Sequence, residues 1–168
     1  IAMAGLQGVS YLRTTRGAYP VLYRPDESFP IGGAKVLKSS GADEVCLVGA
    51  GVTVHECLTA AERLGARGIA SRVVDAYSIK PMDGATVLEA SETTSGRFVV
   101  VEDHRPEGGL GAALRGVLSA GGASSTEVAH LAVRKLPMSG TSAELLDFEG
   151  ISAVHIEEAA RALVGGGR

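Results

Sequence analysis

The sequence predicts a three-layer α/β/α sandwich with a mostly parallel sheet. Short apolar runs alternate along the chain with segments whose apolar residues recur every three or four positions. Residues 98–101 are apolar throughout, as a central parallel strand is when helices cover both faces of its sheet. An alternation of strands and helices of this kind favours parallel strands joined by crossover helices.

The first strand and helix of this pattern follow each other closely. Residues 44–49 are an apolar strand, and the helix after it is predicted to begin at Thr53, with Thr53 and Glu56 as a reciprocal capping box. Gly65 is predicted to end that helix in a left-handed conformation. The apolar positions of the helix lie on one face, which would pack on the sheet; they are Val54, Cys57, Leu58, Ala61 and Leu64.

The remaining elements continue the alternation. Residues 69–75 are a second strand, which ends before Lys80-Pro81 because a residue that precedes proline avoids helical angles. Asp83 can cap the next helix. After the strand at 98–101, the glycine-rich residues 107–111 open a helix that ends at Gly121-Gly122.

The C-terminal elements are a strand and two helices. Residues 128–133 are predicted as the strand, and Thr141 with Glu144 form the capping box of a short helix. The final helix carries an apolar stripe of Ile156, Ala159, Ala160, Leu163 and Val164.

The first 36 residues have a different character. The sequence starts Ile-Ala-Met-Ala-Gly rather than with an initiator methionine, so we expect it to continue a longer polypeptide. Residues 8–15 resemble a strand with its loop, which could not bury both faces alone. We therefore predict that residues 1–24 are the tail of a preceding domain, that the proline-rich and acidic residues 25–36 are a linker, and that residues 37–168 are the α/β domain.

Composition excludes several classes of protein. The net charge is −3 and both signs are interspersed, so no basic face is available for nucleic acid. No apolar run approaches the roughly 18 residues of a membrane span. Cys46 and Cys57 occupy positions that suit small apolar residues, which favours a reduced, cytoplasmic setting over a disulfide framework.

A glycine turn after the first predicted strand suggests nucleotide binding. Gly49 and Gly51 precede a helix, and Asp75 ends the next strand. The dinucleotide fingerprint needs a third glycine for close packing of helix on strand, and Val54 occupies that position. A tight strand-to-helix turn is therefore the favoured interpretation, with His55 as a surface or interface residue.

Four polar residues, Glu102, Asp103, His104 and Arg105, follow the central strand, where a general acid or base could lie. We favour a cluster of ion pairs and hydrogen bonds that contacts another domain, because no nucleophile accompanies it. His130 and His155 lack companions at metal-ligand spacing. The sequence therefore predicts no catalytic, cofactor-binding or metal-binding residue in this chain.

Two arginines, Arg13 and Arg16, flank the loop after residues 8–12. A guanidinium fork suits a phosphate dianion because it presents paired donors. The alternative interpretation is that either arginine is a solvated surface residue without a ligand.

Six segments together resemble the C-terminal part of transketolase, in order and with matching spacing. They are 12–16 (Leu-Arg-Thr-Thr-Arg), 48–56 (Val-Gly-Ala-Gly-Val-Thr-Val-His-Glu), 78–83 (Ser-Ile-Lys-Pro-Met-Asp), 101–104 with 107–111 (Val-Glu-Asp-His, Glu-Gly-Gly-Leu-Gly), 131–137 (Leu-Ala-Val-Arg-Lys-Leu-Pro) and 139–146 (Ser-Gly-Thr-Ser-Ala-Glu-Leu-Leu). Each segment is weak alone, but their collinear order is specific. Deoxyxylulose-phosphate synthase and the decarboxylase components of 2-oxoacid dehydrogenases share the domain and remain alternatives, as does a stand-alone interaction or nucleotide-sensing module.

The resemblance implies a homodimeric, thiamine-diphosphate- and Mg²⁺-dependent enzyme that moves a two-carbon ketol unit between sugar phosphates. The family places its cofactor, metal and catalytic residues upstream of this segment, so the chain alone would be inactive and would support the dimer through contacts with the rest of the enzyme. Arg16 matches the arginine with which the family holds the substrate phosphate. Gly17-Ala18-Tyr19 replaces a more polar continuation found in some relatives.

Overall fold

A computed structural model describes residues 2–123, 125–136 and 138–166. Five strands build one sheet: β1 (Lys35–Lys38), β2 (Val45–Gly49), β3 (Ser71–Asp75), β4 (Arg97–Glu102) and β5 (Glu127–Ala132). Their spatial order is β1-β3-β2-β4-β5, in which β1 pairs antiparallel with β3 and the other neighbours pair in parallel. The predicted mostly parallel sheet is confirmed.

Within the described ranges five helices accompany the sheet: α1 (Val52–Gly65), α2 (Gly84–Thr93), α3 (Leu110–Ala120), α4 (Ser142–Phe148) and α5 (Ala153–Gly165). A short 3₁₀ turn spans Ala2–Gly5. No helix in the described part of the chain is long and apolar enough to cross a membrane.

Two apolar cores lie on opposite faces of the sheet. Successive side chains of a strand point to opposite faces, so Val45 and Leu47 of β2 join the core formed with α1 and α5, while Cys46 and Val48 join the core formed with α2 and α3. This arrangement confirms the three-layer sandwich. Cys46 and Cys57 are both free and buried, and burial raises the pKa of the Cys46 thiol to about 12.

The beginning of α1 differs from the prediction. The helix starts at Val52 after Gly51, which adopts φ 62°, and no side chain caps it. The Thr53 hydroxyl instead accepts from Ala50 N at 3.0 Å and donates to the β4 carbonyl of Val101 at 2.8 Å. The Glu56 carboxylate accepts from Ala153 N, the first residue of α5, at 2.7 Å. The predicted capping box at Thr53 and Glu56 is therefore wrong, because tertiary partners use both side chains.

The other helix ends are mostly as predicted. Asp83 accepts from Thr86 N at 3.0 Å at the start of α2, and Thr141 with Glu144 forms a complete capping box at α4. Helix α1 ends at Gly65 as predicted, but Gly65 is not left-handed: the left-handed glycine lies three residues later at Gly68, with φ 78°. Ile69 N then donates to Leu64 O at 3.0 Å and closes the turn.

The N-terminal region differs from the prediction in two places. Residues 8–15 form no strand and are exposed, since no partner strand adjoins them in the described part of the chain. The linker predicted over 25–36 also contains the start of β1, which the sequence pattern missed because Pro30 and two glycines precede it. Lys35 and Val36 pair with Asp75 and Val74 of β3.

The sheet topology creates a crevice at the carboxyl ends of β2 and β4. The chain runs from β2 through α1 to β3 on one side, whereas β4 pairs with the other side of β2. Helices α1 and α3 therefore leave these neighbouring strands toward opposite faces. Open α/β sheets bind ligands at such a switch point.

Candidate functional site

An irregular segment crosses the carboxyl ends of three strands; we call residues 13–23 the strap. Arg13 contacts Asp103 beyond the end of β4, and the Arg13 Nη2 donates to the Asp103 backbone oxygen at 3.0 Å in addition to the ion pair with its carboxylate. Farther along, Thr15 lies beside Gly51: a Cβ atom built on Gly51 would lie 3.7 Å from Thr15 Oγ1. The strap thus passes from β4 over the switch point to the turn after β2.

The second half of the strap is held by aromatic side chains. The ring of Tyr19 stacks on His55 in the first turn of α1, with centroids 5.1 Å apart. The hydroxyl of Tyr23 donates to Asp75 Oδ2 at 2.5 Å, at the end of β3. His55 therefore lies at an internal interface, as its placement in the sequence allowed.

Asp75 is a buried carboxyl. Only 6% of the residue is exposed, and Oδ1 makes no hydrogen bond to the described residues. Burial raises the pKa of Asp75, while the bond from Tyr23 and the nearby His55 partly oppose that effect. Burial and the adjacent carboxylate also raise the pKa of Tyr23, so its hydroxyl remains a donor at neutral pH.

Arg16 lies between the Arg13 and Tyr19 contacts of the strap. It is exposed, and its side chain makes no hydrogen bond or ion pair with the residues that the structure describes. Under the strap lies a cavity of about 390 Å³, whose walls include Thr15, Gly17 and Asp75. Arg16 lies in the chain between Thr15 and Gly17, which both line this cavity, and its donors are free of partners among the described residues. Its phosphate role stays a prediction.

The polar residues after β4 do not form one cluster. Glu102 turns inward, where it is 3% exposed, and caps the start of α3 by accepting from Leu110 N at 2.7 Å and Gly111 N at 3.0 Å. His130 Nε2 lies 2.5 Å from the same carboxylate. The expectation that Glu102 contacts another domain is wrong, because a helix start supplies unpaired amides that suit an anion.

Glycines make the Glu102 arrangement possible. A Cβ atom at Gly109 would lie 1.9 Å from Glu102 Oε2, and one at Gly111 would lie 2.3 Å from His130 Nε2. Any side chain at either position would displace the carboxylate or the imidazole. The glycine loop that the sequence shows before α3 therefore serves internal packing.

His104 and Asp103 face outward. The His104 side chain is half exposed, and its Nδ1 lies 2.7 Å from the Arg105 carbonyl oxygen and 3.9 Å from Glu102 Oε2. Asp103 pairs with Arg13 of the strap, which belongs to the segment assigned to a preceding domain. Within the described residues, the partners of His104 and Asp103 are thus a backbone carbonyl, Glu102 and Arg13, which favours the interpretation of contacts over that of acid-base chemistry.

The glycine turn after β2 is a tight packing turn. A Cβ atom at Gly49 would lie 3.0 Å from the Thr53 backbone, which explains the need for glycine. Val54 is buried and lines the cavity with Gly51, and the strap covers this helix start. These contacts favour the packing interpretation over a dinucleotide site.

The donor groups at this edge do not suit a magnesium diphosphate. Mg²⁺ takes carboxylate and carbonyl oxygens, but Glu102 caps α3, Asp103 pairs with Arg13 and Asp75 accepts from Tyr23. No group of three acidic, histidine or cysteine residues within the described ranges could hold a metal. The described residues therefore do not fit thiamine diphosphate with its metal.

The fold and the carboxyl edge of its sheet define an open α/β domain. The polar residues at that edge hold the domain's own helices and the strap, and one arginine of the strap, Arg16, stays without a hydrogen bond or ion pair to the described residues. The model of the family "Transketolase, C-terminal domain" matches residues 32–156. The chain belongs to this family, and the resemblance found in the sequence is confirmed.

Curated relatives are transketolases and transketolase-like proteins. The chain is 44% identical over 153 residues to transketolase-like protein 1 of Bos taurus, a match that covers 91% of this chain and 25% of that protein. It is 42% identical over 161 residues to transketolase of Homo sapiens, which covers 96% of this chain and 26% of that protein. The chain thus spans about a quarter of the length of these relatives.

Solved structures of transketolases share the fold of this chain. A split-gene transketolase described as an inactive beta4 tetramer superposes with a TM-score of 0.78 at 33% identity, covering 91% of this chain and 48% of that one. Transketolase from Campylobacter jejuni matches with a TM-score of 0.55 at 20% identity, covering 82% of this chain and 20% of that one, and supports the fold alone.

Proposed function

We propose that this chain is the C-terminal part of a transketolase, which transfers a two-carbon ketol unit between sugar phosphates. The observation that carries the proposal is the family match over residues 32–156 together with relatives four times as long. Within that enzyme, thiamine diphosphate and Mg²⁺ are held outside this chain, because the carboxylates at its carboxyl edge are already engaged.

The proposed division of labour follows the chain. Residues 1–24 end the preceding pyrimidine-binding domain, residues 25–36 are mainly linker, and residues 37–168 are the C-terminal domain. The start of the family match at residue 32 supports a boundary in this region. The C-terminal domain stabilises a homodimer. Arg16 of the strap binds the phosphate of the substrate.

The proposed compartment is the cytoplasm. Its support is chemical: both cysteines are free and buried as small apolar residues, a usage typical of reducing compartments. A nucleotide-sensing module is the less favoured alternative, because the strap covers the glycine turn that would receive a phosphate.

The direct test of the proposed activity uses the complete enzyme that contains these residues. With thiamine diphosphate and Mg²⁺ present, we expect ketol transfer from a ketose phosphate to an aldose phosphate, followed by chromatography of the products. Decarboxylation of a 2-oxoacid without ketol transfer would contradict the proposal and favour one of the two related families.

The 168-residue chain alone should not bind the cofactor. We expect a flat calorimetric titration with thiamine diphosphate and Mg²⁺, because no cluster of ligating side chains exists in the described residues. Binding tighter than about 10 μM, which corresponds to roughly 7 kcal/mol, would show that the cofactor site includes this chain.

His104→Ala in the complete enzyme should retain most of the turnover number. The imidazole is half exposed, and its Nδ1 lies 2.7 Å from the Arg105 carbonyl oxygen and 3.9 Å from Glu102 Oε2, so we expect a small fall in melting temperature or a weaker dimer. The measurements are steady-state kinetics, calorimetry and sedimentation. A loss of about 10²-fold or more in turnover with the dimer intact would identify His104 as an acid-base group.

A further inference from the structure

The strap has no regular secondary structure, yet three contacts fix it to the domain. Backbone ordering costs roughly 1–2 kcal/mol per residue, so an exposed loop keeps one conformation only where specific contacts hold it. The contacts are Arg13 with Asp103, Tyr19 with His55, and Tyr23 with Asp75. Arg16 lies between the first two and makes no hydrogen bond or ion pair with the described residues.

The contact between Tyr23 and Asp75 is the most buried of the three. Asp75 is 6% exposed, whereas the side chains of Arg13 and Asp103 are 45% and 31% exposed. A surface ion pair contributes little and is screened by salt, but a hydrogen bond to a buried carboxyl is strong because water cannot replace it. Asp75 is also fixed rigidly, since its backbone pairs with Gly49 of β2 and Lys35 of β1.

Tyr23 is equally well fixed on its own side. Its ring packs edge-on against Phe29 with centroids 4.8 Å apart, and Lys35 Nζ lies 5.8 Å from the ring centroid. Phe29 in turn packs against Tyr77 at 5.0 Å. The tyrosine hydroxyl therefore reaches Asp75 from a preorganised ring, and the end of the strap cannot shift without breaking both contacts.

The same contact has no other evident role. A buried carboxyl with an unpaired Oδ1 is costly to desolvate. In the described residues Asp75 caps no helix and forms no salt bridge, and only His55 exerts a favourable charge on it. Its hydrogen-bond partner is a residue of the strap that lies 52 positions earlier in the sequence.

We propose that Tyr23 and Asp75 are positioning residues for substrate-phosphate recognition, which anchor the strap so that Arg16 is held over the carboxyl edge of the sheet. The inference rests on the proposed phosphate role of Arg16. Tyr19 and His55 act as the intermediate anchor, which limits the free part of the strap to the few residues around Arg16.

The test compares Tyr23→Phe with Tyr77→Phe in the complete enzyme. Both substitutions remove one tyrosine hydroxyl from the same aromatic cluster, but Tyr77 donates to the Pro30 carbonyl oxygen at 3.0 Å and not to the strap's anchor. We expect Tyr23→Phe to raise KM for a phosphorylated acceptor about 3- to 10-fold, with kcat and the KM of the unphosphorylated acceptor within about twofold. Tyr77→Phe should leave the ratio of the two KM values unchanged.

Two substitutions at Asp75 separate the effect of its hydrogen bond with Tyr23 from the effect of its negative charge. Asp75→Asn keeps an oxygen that can accept from Tyr23, so it should rescue most of the discrimination that Asp75→Ala loses. Hydrogen exchange on the complete enzyme supplies a readout independent of catalysis: the amides of residues 15–19, 21 and 22 should exchange at least about threefold faster in Tyr23→Phe, with the core amides unchanged.

A double substitution distinguishes the two proposals. If Arg16 binds the phosphate and Tyr23 acts through it, Tyr23→Phe should add nothing to the KM ratio in an Arg16→Ala background. An unchanged ratio in Arg16→Ala itself would overturn the phosphate role. Only the anchoring role would be overturned if Arg16→Ala changed the KM ratio while Tyr23→Phe left both the ratio and the hydrogen exchange normal. Equal effects of Tyr23→Phe and Tyr77→Phe would also overturn the anchoring role.

Discussion

Arg16→Ala in the complete enzyme should lower the preference for phosphorylated over unphosphorylated substrates by about 10- to 150-fold, since a charged hydrogen bond contributes about 1.5 to 3 kcal/mol. Arg16 is exposed on the strap between two residues that line the cavity at the carboxyl edge of the sheet, where the loops of an α/β sheet contact ligands. The measurement is kcat/KM for erythrose 4-phosphate and for erythrose.

Two variants control this prediction. Arg16→Lys should restore only part of the preference, because lysine keeps the charge and loses the planar fork. Arg24→Ala removes another exposed arginine, which pairs with Asp26 at 3.2 Å, and should leave the preference unchanged. If Arg16→Ala reduced the reaction of both sugars equally, the phosphate role would be excluded and Arg16 would be a structural residue.

Glu102→Ala should cause the largest loss of stability among the substitutions considered. It would leave the amides of Leu110 and Gly111 without an acceptor and would remove the partner of His130. Breaking a buried charged interaction of this kind costs about 3–5 kcal/mol. For a chain of this size we expect a fall in melting temperature of about 6–20 °C, at about 2–4 °C per kcal/mol.

Glu107→Ala is the matched control for Glu102→Ala. Glu107 is an exposed acidic residue of the same loop and makes no ion pair with the described residues, so its removal should change stability by no more than about 0.5 kcal/mol. Glu102→Gln should be intermediate, since an amide retains one acceptor. Thermal and urea unfolding of the chain provide both values, and equal melting temperatures for the two alanine variants would contradict the capping role of Glu102.

The sequence predicted the sandwich well because its signals are local. Apolar runs marked β2, β3, β4 and β5, and side-chain caps at Asp83 and Thr141 marked two helix starts. The cap at Thr53 was wrong for a physical reason: the same hydroxyl binds Val101 O, 48 residues away, and no local pattern reveals such a competitor.

The site was predicted less completely than the fold. Asp75 was noticed at a strand end, but nothing in the sequence connects it with Tyr23, because proximity across 52 residues depends on the path of the strap. Glu102 was recognised as polar at the end of β4, whereas its inward direction depends on Gly109 and Gly111 leaving room for it. Arg13 and Arg16 were both noticed beside the same loop, and only the family resemblance chose Arg16 as the phosphate ligand.

The antiparallel strand β1 also protects the sheet from other molecules. An unpaired outer strand is a template on which a second chain can add. β1 is only four residues long, its pairing with β3 shifts register between Val36 and Lys38, and a lysine stands at each end. A short, irregular and charged strand offers few aligned backbone groups to an incoming one, so this side of the domain should resist edge-to-edge aggregation when the protein is concentrated.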